Sequence, residues 1–371
     1  MVAAVGAGAA TVAAGVLLYG AHLTVTGVAA RLNNLALPQS TPIRLLLMKV
    51  VVVGATGHIG SYLVPSLVGA GHEVVAISRG DRQPYLDHTA WRHVKVVHAD
   101  RDAEDQAGTF AEKVAAQRPD AVVDLICFTP SAAEQLVASL APVNAYLLHC
   151  GTIWVHGPAV EVPVTEEAVR RPFGTYGTQK AAIEELLLGA ARRGELRSTV
   201  LHPGHIVGPG WLPLNPAGNF NANVFELLAN GGELALPHLG LETVHHVHAQ
   251  DVAQAFSKAL LHPALASGES FHVVSDRALT LRGYAEAVYR WFDQPARLSF
   301  QPWGTWAAGW DNADAEATWE HISRSPSMSI DKAKRLLGYE PRYTSLEGVF
   351  DSLAWLVSKG KVDVGGRQPS P

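Results

Sequence analysis

Hydrophobic and polar positions recur along most of this chain with two different periods, and each change of period marks an element. Val50–Val53 is an unbroken apolar run of strand length. Such a run suits a strand covered on both faces. Ile59–Leu67 follows with helical spacing, and Glu73–Ser78 reads as a second strand. A polar loop, 81–91, leads to a third strand, Val94–His98. Further strands are expected at Ala121–Phe128, where Pro130 acts as a stop, at Ala145–Cys150, and at Thr199–His202, closed by Pro203. Helices are expected between them at Ala103–Gln117, Ala132–Leu140 and Thr178–Ala191. Strands separated by helices of this length predict a parallel sheet with crossover helices.

From Gly210 the pattern loosens. Helices are read at Asn221–Leu228, Asp251–Leu260 (with Asp251 at its N-terminus), Leu281–Trp291, Glu316–Arg324, Ile330–Leu337 and Leu346–Val357. Leu241–Val247 and Phe271–Val274 read as strands, and no internal repeat is visible. Residues 48–210 are assigned to one domain and 211–359 mainly to a second, with a segment around 240–275 returning to the first. Residues 360–371 read as a flexible tail.

The turn between the first strand and the first helix carries Gly54, Gly57 and Gly60 at the G-x-x-G-x-x-G spacing. In a strand–turn–helix–strand context this is the opening of a dinucleotide-binding fold. Gly54 makes the tight turn, Gly57 admits a pyrophosphate, and Gly60 lets the helix pack close to the sheet. Together with Thr56, His58 and Ile59 they are the expected phosphate contacts, helped by the positive end of the helix dipole.

Composition adds exclusions. The chain has 371 residues, 48% hydrophobic and 17% charged, with net charge −5. That length suits one large domain plus a smaller one, and the charge balance offers no nucleic-acid surface. Cys127 and Cys150 are too few for a disulfide framework or a zinc site and read as reduced core thiols in a cytoplasmic protein. His246 and His248 fall on one side of a strand without an evident third ligand, so no metal is assigned. Residues 1–47 differ from the rest, with Arg31 and Arg44 as their only full charges and no acid. Three readings stay open: a non-native extension, a membrane anchor, or a loosely packed native helix. Lys49 starts the first strand in each case, and a membrane contact arises only in the second.

Tyr176 and Lys180 stand four apart, on one face if a helix begins near Tyr176. An ammonium beside a phenol favours phenolate, and such a tyrosine exchanges a proton with an alcohol or ketone while a nicotinamide exchanges hydride. With the glycine turn upstream, the chain from about Met48 to Lys359 resembles the extended short-chain dehydrogenase/reductase superfamily, in its NAD-dependent epimerase/dehydratase branch. The resemblance implies a Rossmann-type α/β fold, a parallel sheet with helices on both faces, plus a smaller C-terminal substrate-binding domain.

It also implies roles. In Gly151-Thr-Ile-Trp-Val-His-Gly157, Thr152 would be the hydroxyl partner of Tyr176. His149, Cys150, Trp154 and His156 depart from the family pattern; either Trp154 and His156 shape an unusual substrate pocket, or His149 and His156 are satisfied polar residues at a strand end. Asn219 is assigned to the substrate side. In the segment His202–Pro209, Pro203 and His205 would lie on the nicotinamide side. Asp100, after the third strand, would meet adenine. Many nucleotide-sugar members carry an arginine where this chain has Thr243, Val244 and His245, which weakens a nucleotide-sugar substrate.

Cofactor choice turns on the end of the second strand. An acid there would accept from the ribose hydroxyls of NAD, but the chain has Ser78-Arg79-Gly80. Arg79 suits the 2′-phosphate of NADP, or it stacks on adenine in an NAD enzyme. The expected function is NADP-preferring oxidoreduction of a ketone or secondary alcohol on a polar small molecule. The alternatives are an epimerase or dehydratase with tightly bound NAD(P), and a non-catalytic cofactor-binding protein. A homodimer is compatible with this reading.

Overall fold

The four valines of strand β1 (Lys49–Val53) are fully buried in the computed structural model, which describes residues 47–371. The expectations for residues 1–47 therefore lie, but for Leu47, outside the described residues. Strand β2 (Glu73–Ser78) pairs with β1 in parallel, Val51 opposite Val75, and β3 (Lys95–His98) is the edge beyond it. On the other side stand β4 (Ala121–Asp124), β5 (Tyr146–Cys150), β6 (Ser198–Pro203) and the strand Ser270–Val273, all parallel. The last of these brings the late part of the chain back to the sheet as its seventh strand.

Alternate residues of β1 serve opposite faces, as the strand period dictates. Val50 and Val52 pack with Leu63 and Leu67 of helix α1 (Gly60–Gly69) and Phe256 of the helix Ala249–Leu261. Val51 and Val53 face a layer that includes Phe110, Leu136, Ile183 and Leu187. These belong to α3 (Phe110–Ala115), α4 (Pro130–Leu140) and α5 (Gly174–Arg192). The result is a parallel sheet between two helical layers. A separate apolar cluster, with Phe225, Tyr284, Tyr289, Trp306, Val349 and Leu353, forms the core of the later region. Among the described residues no helix is long and apolar enough to cross a membrane.

Several boundaries differ from expectation. The helix expected over 103–117 is two, α2 (Arg101–Gln106) and α3, because Gly108 turns left-handed at φ 71° between them. β4 stops at Asp124, whose carboxylate accepts from Ile126 N and from Arg101. Pro130 does not end the strand; it opens α4 behind the N-cap Thr129, where its missing N–H costs nothing. The strand expected at 241–247 is two short pieces, Thr243–Val244 and His246–His248, paired to different partners. His248 caps the following helix, and Asp251 stands in its first turn as the acid there, accepting from Arg342 N and Tyr343 N.

The segment 360–371 is docked rather than frayed. Val362 and Val364 are buried in the cluster of the later region, Asp363 N donates to Glu226 Oε1, and Ser370 N donates to Trp291 O. The two valines and the bonds together hold the segment down.

Candidate active site

The glycine turn is built around two close approaches. Gly54 adopts φ 80° as its N–H donates to Ile77 O at 3.0 Å, so the chain turns at the tip of β1. A Cβ at position 60 would lie 2.1 Å from Ala55 O, so the start of the helix touches the turn that leaves β1. α1 begins without a side-chain cap or an acid in its first turn, which leaves its positive end open to an anion. Beside the turn lies a cavity of about 380 Å³, lined by Gly54, Thr56, Gly57, Ser78, Arg79, Asp81, Arg82, Asp100 and Arg101. Arg79 is exposed and approaches Asp81 at 3.5 Å, and Arg82 donates to Tyr85 Oη at 2.9 Å. Asp100 lines the cavity and also caps α2, accepting from Ala103 N.

A second cavity of about 380 Å³ is lined by His58, Ile59, Phe128, Thr152, Tyr176, Lys180, Pro203 and Trp211. It shares Gly54, Gly57, Arg82, Ile126 and Phe128 with the first, so the two are halves of one crevice at the carboxyl ends of the strands. That is where ligands bind in open parallel sheets. α5 starts at Gly174, so Tyr176 sits in its first turn and Lys180 one turn later. Lys180 is buried and its Nζ donates to Cys127 O and Cys150 O, both at 2.7 Å. Burial lowers its pKa, against the opposing pull of Cys150, Cys127 and Asp124.

Tyr176 as a residue is 42% exposed, yet burial of its hydroxyl end, reinforced by Cys150 and opposed by Thr152, pushes the phenol up to about 12. This reverses the expected direction. The ammonium of Lys180 is engaged by two carbonyls and lies 5.9 Å from the Tyr176 ring centroid, so desolvation wins. Thr152 is buried and lines the crevice; its Oγ1 accepts from Trp154 N and keeps its own proton as a donor toward the Tyr176 side.

Four expected site residues lie elsewhere. His205 is half-buried beside His246 and His321, with ring centroids 5.7 and 5.0 Å away, while its neighbours Gly204 and Ile206 line the crevice. Alternation along the short strand His205–Val207 turns it away from the cofactor side. His156 is buried and bonded through Nε2 to His272 Nε2 at 2.7 Å; burial holds its pKa down to about 3. Asn219 is fully buried; its Nδ2 donates to Thr318 Oγ1 and its Oδ1 accepts from Asn215 Nδ2 and Asn221 N. Trp154 meets Tyr176 edge-on at 5.6 Å, with the Arg324 guanidinium 3.7 Å over its ring. It supports the tyrosine from behind the crevice wall.

We expect His156→Phe to lower thermal stability, since His272 Nε2 loses its partner at a cost of about 1–3 kcal/mol, and to leave turnover of the folded enzyme unchanged. Loss of turnover without loss of stability would return His156 to the chemistry.

Sequence reading missed Arg82, Trp211 and Phe128. Trp211 stacks on His58 at 5.3 Å and meets Tyr85 at 6.4 Å, so loops far apart in sequence meet over the glycine turn. No local pattern marks them. It also missed a buried polar group under the crevice, where Asp124, Cys127 and His149 bring side-chain atoms within 4.8 Å of one another. Arg101 already engages Asp124 there at 2.5 Å.

The crevice fits a dinucleotide: one elongated cleft, a turn without side chains at its middle, and a helix start beneath. Residues 50–273 match the model of the NAD dependent epimerase/dehydratase family. The chain belongs to that family. A 2′-dehydrokanamycin reductase of Streptomyces kanamyceticus is 28% identical over 332 residues, covering 89% of each chain. Among solved structures, the UDP-glucose 4-epimerase of Thermotoga maritima aligns at TM-score 0.64 with 20% identity, over 84% of this chain and 99% of that one. A UDP-glucuronic acid 4-epimerase of Bacillus cereus, in complex with UDP-glucuronic acid and NAD, aligns at TM-score 0.63 with 18% identity, over 84% and 100%. Both share the parallel-sheet fold. As a member of the epimerase/dehydratase family, this chain is an enzyme, an NAD-dependent oxidoreductase or epimerase/dehydratase acting on a small molecule.

Proposed function

We propose that the enzyme interconverts a ketone and a secondary alcohol on a polar small molecule, with NADPH as the preferred nucleotide and the cytoplasm as its compartment. One observation carries the cofactor preference. β2 ends in Ser78 rather than a carboxylate, and Arg79, beside Asp81, lines the half of the crevice next to it, with Arg82 at the junction of the two halves. A 2′-phosphate there meets the Arg79 guanidinium, with Arg82 the next cation along the cleft, whereas the hydroxyls of NAD lack an acceptor at the tip of β2 itself.

The bound nucleotide supplies or accepts the hydride. Tyr176 Oη gives its proton to the carbonyl oxygen in reduction and recovers it through solvent. Thr152 donates to the same oxygen and fixes its direction. Lys180 orients the nicotinamide ribose and favours the phenolate as negative charge develops. Net reduction is supported by the Streptomyces relative, named as a reductase. It is also supported by the region where a nucleotide-sugar enzyme would need a cation. There Thr243 is bonded to Ser325, and His245 to Ser275 O and Met328 N.

One observation favours the second reading, an epimerase or dehydratase. Trp211 stacks on His58 of the glycine turn, Tyr85 meets both rings edge-on, and the cluster would slow nucleotide release.

Candidate ketones, alcohols and sugar nucleotides, followed by NADPH absorbance, separate the two. Net turnover supports the reductase; product without net turnover, from enzyme that copurifies with nucleotide, supports the epimerase. Arg79→Asp is expected to weaken NADPH binding far more than NADH binding, and Arg82→Ala to do so less. Equal losses for both nucleotides would point to adenine stacking.

A further inference from the structure

The loop that carries Thr152 is tied to the helix that carries Tyr176 by a buried side-chain chain. The backbone N–H of Thr152 donates to His202 Nδ1 at 3.0 Å. An imidazole nitrogen that accepts carries no proton, so in the neutral ring the proton is on Nε2. That nitrogen faces Glu184 Oε1 at 3.1 Å. Glu184 lies on α5 one turn after Lys180 and two after Tyr176, on the same face. Its carboxylate is gripped by Arg170, Nε to Oε2 at 3.1 Å and Nη2 to Oε1 at 2.7 Å. Arg170 is fixed in turn by the carbonyls of Glu166 and Ala168 and by Ser270 Oγ.

His202 and Glu184 are both buried. Burial alone would raise the Glu184 pKa, but His202 and Arg170 outweigh it and hold the carboxyl well below the usual range. The imidazole also lies against the backbone of Gly151, where a Cβ would come 2.5 Å from Nδ1. No side chain other than hydrogen fits between them.

We propose that His202 and Glu184 are positioning residues, which lock the backbone of Thr152 to helix α5 so that the Thr152 and Tyr176 hydroxyls converge on one substrate oxygen. Two properties suit them to this. The Nε2–H tautomer is fixed from both sides, so the ring is a rigid spacer and not a proton carrier. The spacer joins the two elements that must keep register for a shared oxygen, and a misplacement of about 1 Å at such a point costs up to ~10²-fold in rate.

This inference rests on the proposed role of Thr152, and its test separates the two. His202→Leu removes the acceptor, His202→Asn keeps an oxygen near the Nδ1 position, and Glu184→Gln keeps the shape without the charge. In the wild-type background, His202→Leu is expected to lower kcat by ~10–10²-fold with nucleotide Kd unchanged, and His202→Asn to recover part of the loss. In a Thr152→Ala background the same change is expected to cost under ~3-fold, because a residue acting through Thr152 has nothing left to position. Multiplicative penalties in the double variant would overturn the positioning role alone. Undiminished turnover in Thr152→Ala by itself would overturn the role of Thr152, and with it this inference. Should His202→Leu fail to fold, Glu184→Gln enters the same cycle. Nitrogen NMR of the histidine rings in the unaltered enzyme adds a readout free of activity: His202 protonated on Nε2 only is expected, and protonation at Nδ1 would refute the chain of bonds.

Discussion

Tyr176→Phe is expected to lower kcat by ~10²–10⁴-fold, the usual contribution of a positioned proton donor, while nucleotide Kd stays within error. The ring keeps its edge contact with Trp154 and its tilted contact with Phe128, so packing is retained and only the hydroxyl is lost. The phenol, pushed up to about 12, is protonated at neutral pH and therefore set up as a donor, the state that ketone reduction uses. Alcohol oxidation needs the phenolate. Its rate should climb with pH through the alkaline range, while reduction stays flat until the phenol itself begins to ionise. Lys180→Met should damage both rate and nucleotide binding, since it strips the carbonyls of Cys127 and Cys150 of their shared donor. Stopped-flow turnover beside fluorescence titration of nucleotide checks each variant. Near wild-type turnover in Tyr176→Phe would remove the tyrosine from the proton path. His156 would not replace it, being buried and bonded to His272.

Where the physics is local, the sequence could be read directly. The valine run, the glycine turn, β2 and the helix Leu281–Trp291 have the bounds their periodicity implies, and Tyr176 and Lys180 share a helix face because four residues make about one turn. What was not legible depends on partners far away in the chain. His202 and His205 stand three apart in one short segment, yet one bonds Thr152 and the other faces His321. His202 lies on β6, which is buried on both faces and has no polar alternation to aim it, and His205 opens a separate short strand that pairs with His246–His248, 41 residues on. His156 finds its partner 116 residues on, at His272. Arg82 looks like any loop arginine until Trp211 and Tyr85 close over the same cavity. Two misses had local signals after all. Gly108-Thr109 marks the break between α2 and α3, and Val362 and Val364 keep the period-two spacing of a segment with one buried side.

Gly60→Ala is expected to cost more stability than any other single methyl added to the nucleotide turn. The cost is steric, because position 60 needs no left-handed backbone. The new Cβ would lie 2.1 Å from the oxygen, 2.5 Å from the carbonyl carbon and 2.8 Å from the Cα of Ala55. All three are backbone atoms of a buried residue, so no side chain can swing aside. Relief requires the start of α1 and the Ala55 turn to move apart by about 1 Å, which disturbs the packing of Leu63, Val64 and Leu67 on Val50 and Val52. Overpacking of a core costs about 1–3 kcal/mol and occasionally more, and the upper end is expected where backbone meets backbone. The same shift displaces Gly57 and Ile59, which line the crevice, so nucleotide Kd should rise together with the fall in stability. Gly69→Ala is the control. It lies on the same helix, nothing stands within 4 Å of its new Cβ, and alanine is favoured over glycine there by up to ~1 kcal/mol. Chemical denaturation and nucleotide titration of the two variants should move in opposite directions for stability, with affinity lost only in Gly60→Ala. Wild-type stability in Gly60→Ala would mean that α1 does not sit against Ala55 in the folded enzyme.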